Sequence, residues 1–116
     1  MHKVLLVEDD PTMRELLETL LGFEGFEVVS VRDYAHTYER ISEVKPDVVL
    51  MDVYLRDSNG LDILDQVRAE EGLNEIRVIM SSGMEHSSEC YQKGADDFIL
   101  KPYMPDELIK RIQKLL

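Results

Sequence analysis

The sequence contains one cysteine, Cys90, so an internal disulfide is excluded. Cys90 also has no partner at the short intervals that metal-binding cysteines and histidines show. We therefore expect Cys90 to be an ordinary helix residue of a protein in a reducing compartment. With 116 residues, the chain is long enough for a hydrophobic core without disulfides, which domains need mainly below about 70 to 80 residues.

Long hydrophobic runs are also missing. The longest aliphatic stretches are VLLV and VVLM, whereas a membrane-spanning helix needs ~18 or more apolar residues. The apolar stretch behind the first three residues is too short for a signal peptide, and acidic residues follow it at once. We expect a cytoplasmic protein that does not enter a membrane.

Positive charge is scarce. The chain has 13 Lys and Arg against 24 Asp and Glu, which gives a net charge of −11. Such a surface repels phosphates, so we do not expect this chain to bind nucleic acid directly. Acidity alone can simply serve solubility, but it also favours cations and basic partner surfaces, and the positions of the acids decide between these interpretations.

Short apolar runs alternate with helical patterns along the chain. The predicted strands are 3–7, 26–31, 48–51, 77–81 and 98–100, and the predicted helices are 11–21, 33–44, 61–70, 87–93 and 105–116. Asp10 suits the N-cap of the first helix and Pro11 its first position. Leu16 belongs to the predicted apolar face of this helix, and Asn59–Gly60 is a predicted turn. This alternation predicts a doubly wound α/β domain with a parallel sheet covered on both faces. We expect residues 1–116 to form one such domain, without a DNA-binding or catalytic output domain.

Polar residues follow the carboxyl ends of four predicted strands, where sheets of this kind bind ligands. The residues at these ends are Glu8, Asp9, Asp52, Ser81, Ser82, Gly83, Lys101 and Pro102, all polar except Gly83 and Pro102. Two carboxylates ~4 Å apart repel by roughly 4 kcal/mol at an effective dielectric of ~20, and one lysine does not balance three acids. A hard divalent cation such as Mg²⁺ fits this deficit.

Asp52 ends an apolar run, and an ionised carboxylate is costly to bury unless it is paired. With a cation beside it, Asp52 becomes a metal ligand and a candidate nucleophile, since aspartate can accept a phosphoryl group as an acyl phosphate. Ser82, the Gly83 amide and Lys101 would then hold the phosphoryl oxygens.

A purely structural interpretation assigns Asp10 to a helix cap, and Glu8 and Asp9 to stabilising the N-terminus of the helix. The joint occurrence of these groups at four strand ends favours function. The histidines at 2, 36 and 86 have no spaced partners and are expected to be solvated, as are the segments YQKGADD and PDELIKRIQK.

The segments LLVEDDPTMRELL, PDVVLMDVYLRDSNGLDIL, VIMSSG and GADDFILKPY resemble the response-regulator receiver domain of two-component signalling, over essentially the whole chain. The resemblance implies a flavodoxin-like strand order 2-1-3-4-5 and phosphoryl transfer to Asp52 from a histidine kinase or phosphotransfer protein. It implies Mg²⁺, with Mn²⁺ as an alternative, bound directly by Asp9, largely through water by Glu8, and by the backbone carbonyl of Tyr54.

The same resemblance implies that Ser82 is the switch hydroxyl, with Ser81 as the alternative, and that Phe98 is the switch aromatic. Lys101 would bind phosphate, and Lys101–Pro102 would be a cis peptide. Phosphorylation would draw Ser82 toward Asp52, turn Phe98 inward and change the surface around the fifth strand and its flanking helices.

Several positions depart from the family pattern. Arg56 and Asn59 replace a usual proline and aspartate, and the segment from Ser82 to Lys101 is short, which predicts a shortened fourth helix. Tyr54 and Met84, two residues past the acceptor and the hydroxyl, are bulky and not acidic, which predicts slow self-dephosphorylation.

Three alternatives share parts of this pattern. A phosphohydrolase would need a second acid where Tyr54 stands, and a flavodoxin-like cofactor domain would need a phosphate cradle in place of EDDP. A phosphorylation-independent binding module of the same fold stays open. The favoured hypothesis is a signalling domain rather than an enzyme, either monomeric or a phosphorylation-dependent dimer, with an output domain or target that the sequence does not identify.

Overall fold

Five parallel strands form the centre of the computed structural model, which describes residues 1–116. They are β1 (Lys3–Val7), β2 (Glu27–Ser30), β3 (Val48–Asp52), β4 (Arg77–Ser82) and β5 (Asp97–Leu100). Their order in the sheet is β2-β1-β3-β4-β5, and every adjacent pair is parallel. The predicted doubly wound fold and its strand order are therefore confirmed.

Helices connect the strands and cover both faces of the sheet. They are α1 (Pro11–Phe23), α2 (Thr37–Val44), α3 (Gly60–Ala69), α4 (Ser87–Gln92) and α5 (Pro105–Leu115). The shortened fourth helix is confirmed, because α4 has six residues. The predicted helix over 33–44 is wrong at its start: residues Tyr34–His36 form a separate 3₁₀ turn in which the His36 N–H donates to the Asp33 carbonyl.

The hydrophobic core lies in two layers, one on each face of the sheet. Successive residues of β3 alternate between them, since side chains along a strand point to opposite faces. Cys90 is fully buried in α4, as expected for a structural helix residue. In α1, Leu17 and Leu21 are fully buried, but Leu16 is 42% exposed, so its predicted place on the apolar face is wrong.

The connection between β3 and α3 contains a short antiparallel hairpin, in which Tyr54–Leu55 pairs with Ser58–Asn59. The turn predicted at Asn59–Gly60 is wrong. The side chain of Asn59 instead accepts the N–H of Leu61 over 2.8 Å and caps α3. Gly60 packs so closely that a β-carbon there would collide with the Asp52 carbonyl oxygen. No helix in the structure is long and apolar enough to cross a membrane.

Candidate functional site

The carboxyl ends of four adjacent strands meet at one edge of the sheet, as the sequence predicts. A cavity of about 100 Å³ lies there. It is lined by Asp9, Asp52, Tyr54, Ser81, Ser82, Gly83 and Lys101. Glu8 does not line the cavity; it is 1% exposed and lies directly beside it. The structure therefore brings together all the polar residues that the sequence places at these strand ends.

Three carboxylates form a cluster at this edge. One oxygen from each of Glu8, Asp9 and Asp52 lies within 4.8 Å of the others. Glu8 Oε1 and Asp52 Oδ2 are buried and accept no hydrogen bond, although buried polar atoms are normally paired. Oxygen ligands in this arrangement suit a hard divalent cation such as Mg²⁺. The residues present therefore fit the metal that the sequence predicts.

Lys101 supplies the positive charge of the site. Its Nζ lies 2.9 Å from Asp52 Oδ1 and 3.0 Å from Glu8 Oε2. Burial would lower the pKa of Lys101, but the carboxylates of Asp52 and Glu8 outweigh it and raise that pKa above its ordinary value. The Lys101 side chain therefore stays a charged ammonium. With three ionised carboxylates (−3) and this ammonium (+1), the site carries a formal charge of −2, which one divalent cation would neutralise.

The two cavity-lining acids are hard to ionise without a cation. Burial, followed by the neighbouring Glu8, raises the pKa of Asp52 to about 6. Burial and the charge of Asp52 raise the pKa of Asp9 above its ordinary value. Like charges in a poorly solvated site disfavour ionisation in this way. A bound cation would favour the ionised form of both.

The two adjacent serines have different partners. Ser81 is fully buried, and its hydroxyl donates to Asp52 Oδ1 over 2.6 Å. The hydroxyl of Ser82 accepts the N–H of Met84 over 3.1 Å and forms no hydrogen bond with Asp52. In this structure, the hydroxyl that donates to the Asp52 carboxylate therefore belongs to Ser81, the residue that the sequence analysis gives as the alternative.

The remaining predicted residues surround the cavity. Lys101–Pro102 is a cis peptide, as predicted. Phe98 is 7% exposed, so its ring is already inside the core. Tyr54 is 59% exposed and stands at the cavity.

Sequence analysis missed several contacts at this edge. The guanidinium of Arg14 and the hydroxyl of Tyr34 both donate to the Glu8 carbonyl, over 3.3 and 3.2 Å. His86 is not solvated as predicted, because its side chain is 14% exposed and contacts Tyr54. Tyr34 and Glu8 are 26 residues apart and His86 and Tyr54 are 32 apart, and no local pattern marks these contacts.

Residues 4–113 match the family model described as the response regulator receiver domain. The DNA-binding response regulator MtrA of Mycolicibacterium smegmatis is 32% identical over 115 residues, which are 99% of this chain and 50% of that protein. The chain thus spans about half the length of this relative. The chemotaxis protein CheY of Bacillus subtilis is 34% identical over 119 residues, with coverage of 99% of this chain and 98% of that protein.

A solved structure adds a comparison at the site itself. The receiver domain of the sensor histidine kinase PA1611 from Pseudomonas aeruginosa superposes with a TM-score of 0.86 at 27% identity, covering 98% of this chain and 96% of that chain. That structure has a magnesium ion coordinated in its active-site cleft.

Proposed function

The chain belongs to the response regulator receiver domain family, a family of signalling domains in two-component systems, and we propose that it is a phosphorylation switch whose acceptor is Asp52. In this proposal residues 1–116 act as one receiver domain. The observation that carries the proposal is the asymmetry of the Asp52 carboxylate. Lys101 and Ser81 hold Oδ1, whereas Oδ2 is buried and unpartnered beside Glu8 and Asp9.

A divalent cation completes this arrangement. We assign Mg²⁺, with Mn²⁺ as an alternative, to Asp9, Asp52 and the backbone carbonyl of Tyr54, with Glu8 acting largely through water. When bound, the cation neutralises the excess negative charge of the carboxylates and of the incoming phosphoryl group.

The chain's own residues position and accept the phosphoryl group. A carboxylate oxygen of Asp52 bonds to phosphorus as the phosphorus–nitrogen bond of a phosphohistidine breaks, and the imidazole leaves with the electron pair. Ser82, the Gly83 amide and the Lys101 ammonium hold the phosphoryl oxygens. Their donors offset charge where it develops, which is the main form of catalysis in phosphoryl transfer.

The switch begins at Ser82. In the structure its hydroxyl is held by the Met84 N–H, and a phosphoryl group on Asp52 would offer a stronger, charged partner. Phe98 is already buried, so phosphorylation stabilises the inward ring instead of driving a large rotation. Ligand and phosphoryl switches act by biasing such pre-existing states.

The signal would leave through the surface around β5 and its flanking helices. Tyr91, Leu100 and Met104 expose 49%, 48% and 67% of their surface there, which suits contact with another protein. We assign a histidine kinase or phosphotransfer protein as the phosphoryl donor. The signal would pass to an output domain or a target protein. The protein would act in the cytoplasm, as a monomer or a phosphorylation-dependent dimer.

Intact-mass measurement tests this function. Wild type, Asp52→Asn and Asp57→Asn are incubated with acetyl phosphate, with Mg²⁺ or with EDTA. Asp57 is the matched control, because it is an exposed acid of the loop that follows the acceptor. We expect one phosphoryl group on wild type and Asp57→Asn with Mg²⁺ only, and none on Asp52→Asn. No uptake by wild type despite bound Mg²⁺ would favour a phosphorylation-independent binding module.

A further inference from the structure

Tyr54 and His86 contact each other beside the Asp52 cavity, although 32 residues separate them. The Tyr54 hydroxyl lies 3.2 Å from His86 Nε2, and the two rings meet edge to face at a centroid distance of 5.3 Å and an angle of 74°. His86 Nδ1 lies 3.2 Å from Glu89 Oε1. A neutral His86 satisfies both contacts when Nδ1–H donates to Glu89 and Nε2 accepts from Tyr54.

His86 is the fixed member of this pair. Its side chain is 14% exposed, whereas Tyr54 is 59% exposed. The His86 carbonyl also accepts the N–H of Cys90 over 3.0 Å, and Cys90 is fully buried in α4. His86 is therefore anchored through its backbone at the start of a packed helix, and it is the less exposed partner of the contact with Tyr54.

Tyr54 is the one aromatic residue among those that line the cavity around Asp52. Loss of a phosphoryl group from Asp52 requires a water whose oxygen attacks phosphorus in line with the bond to the carboxylate. That bond breaks, the carboxylate leaves with the electron pair, and inorganic phosphate and a proton are released. Tyr54 lines the cavity and is itself 59% exposed to solvent, so a ring held in place there would restrict the approach of this water.

We propose that His86 is a positioning residue, which holds the Tyr54 ring over the cavity through the tyrosine hydroxyl and thereby prolongs the life of the phosphoryl group on Asp52. The inference rests on the proposed function. A bulky residue at position 54 is not enough in this inference: the effect of the Tyr54 ring on the phosphoryl lifetime depends on His86, at the start of α4.

The lifetime of the phosphorylated protein tests this role. Wild type, His86→Ala, His86→Gln and Tyr54→Phe are loaded with acetyl phosphate and Mg²⁺, desalted rapidly, and followed by intact mass. His36→Ala is the matched control, because His36 also pairs with a nearby acid at the start of a helix but has a 69% exposed side chain. The amount of phosphoryl group first taken up shows whether each variant has a folded site.

We expect His86→Ala to shorten the lifetime about threefold to tenfold, the effect of losing one neutral hydrogen bond. His86→Gln restores most of the lifetime, because its amide also reaches the tyrosine hydroxyl, and His36→Ala matches wild type. In a Tyr54→Phe background, His86→Ala produces little further change, since the two substitutions remove the same contact.

Two results would overturn the inference alone: normal uptake with an unchanged lifetime in His86→Ala, or an equal shortening by His86→Ala when Tyr54 is already Phe. The second result would assign the effect of His86 to α4 and not to the tyrosine ring. A wild-type chain that takes up no phosphoryl group would overturn the proposed function, and this inference with it.

Discussion

Ser81 is the register partner of Asp52 in the parallel pair formed by β3 and β4, and its hydroxyl donates to Asp52 Oδ1 over 2.6 Å. Neighbouring residues of a strand point to opposite faces, so Ser82 has a different partner, the Met84 N–H. The two serines therefore have separable roles. In the proposed switch, Ser81 stabilises the unphosphorylated carboxylate, and Ser82 exchanges its partner for a phosphoryl oxygen.

Substitution of each serine separates these roles. Ser81→Ala removes a donor from a buried carboxylate, and we expect it to lower the free energy of unfolding by about 1–3 kcal/mol. Ser82→Ala should lower the free energy of unfolding by less than about 1 kcal/mol. It should slow phosphoryl uptake about tenfold, because the hydrogen bond from Ser82 to the charged phosphoryl group is lost. Urea unfolding and initial uptake rates measure the two effects, and the opposite assignment of effects would contradict this account.

Asp52 makes stability depend on pH in a defined direction. Burial and Glu8 raise the pKa of Asp52 from 3.8 to about 6, so between these values the folded protein binds more protons than the unfolded chain. Stability without metal therefore falls as pH rises through this window. Asp52→Asn removes the penalty, and we expect it to be more stable than wild type by up to about 3 kcal/mol at neutral pH, since one pKa unit is about 1.4 kcal/mol.

Urea unfolding in EDTA near the two ends of this window, at pH about 4 and about 7, checks that prediction. The advantage of Asp52→Asn should shrink toward the acidic end, while Asp57→Asn should follow wild type at both. An advantage of the same size at both pH values would show that it does not come from titration of Asp52.

Gly60 packs the start of α3 closely against the end of β3, where Asp52 lies. Its N–H donates to the Val53 carbonyl over 2.7 Å, and a β-carbon would strike the carbonyl oxygen of Asp52. Gly60→Ala should destabilise the fold by at least about 2 kcal/mol, because a packed backbone has to move. Gly22→Ala is the matched control, since nothing lies within 4 Å of a β-carbon there. We expect that variant to raise the free energy of unfolding by up to about 1 kcal/mol, because alanine is favoured over glycine inside a helix. Thermal unfolding of both variants compares them, and equal effects would contradict the packing argument.

Arg68 joins the end of α3 to the start of β4 and β5. Its guanidinium donates to the carbonyls of Gly94, Asn74 and Ile76 and forms an ion pair of 2.9 Å with Asp96. Arg68→Ala should cost about 2–4 kcal/mol of stability, because partly buried acceptors lose their donor. Arg68→Lys should restore little, since an ammonium does not reproduce the planar fork.

Arg40 provides the control for this substitution. It pairs with Glu43 on the surface of α2, where the two side chains are 47% and 67% exposed. Arg40→Ala should change stability by less than about 0.5 kcal/mol. Chemical denaturation of the three variants measures the difference, and similar losses at 40 and 68 would refute the role assigned to Arg68.

The fold and the membership of the site follow from local patterns in the sequence. Alternating strands and helices predict a parallel sheet, and a parallel sheet gathers the carboxyl ends of its strands. The acids after β1 and at the end of β3 could therefore be placed beside Lys101 without a structure. Which of two adjacent serines faces Asp52 depends on strand register, which single-chain patterns do not fix.

Long-range contacts account for the remaining differences. The sequence predicts that the segment YQKGADD is solvated, but the side chain of Asp96 within it is only 22% exposed. It forms an ion pair with Arg68, which lies 28 residues earlier in α3. The contact of Tyr54 with His86 likewise joins two separate connections. Leu16 is 42% exposed because apolar periodicity identifies a broad face of α1 and does not determine which of its residues contact the sheet.

Chemical mapping of the modified residue tests the central claim most directly. After incubation with acetyl phosphate and Mg²⁺, borohydride reduces an acyl phosphate to the alcohol, so a phosphorylated aspartate becomes homoserine and can be located by peptide mass spectrometry. We predict homoserine at position 52 alone, and only when Mg²⁺ and the phosphoryl donor are both present. Homoserine at another aspartate, or its absence from position 52 in protein that has gained a phosphoryl group, would contradict the account.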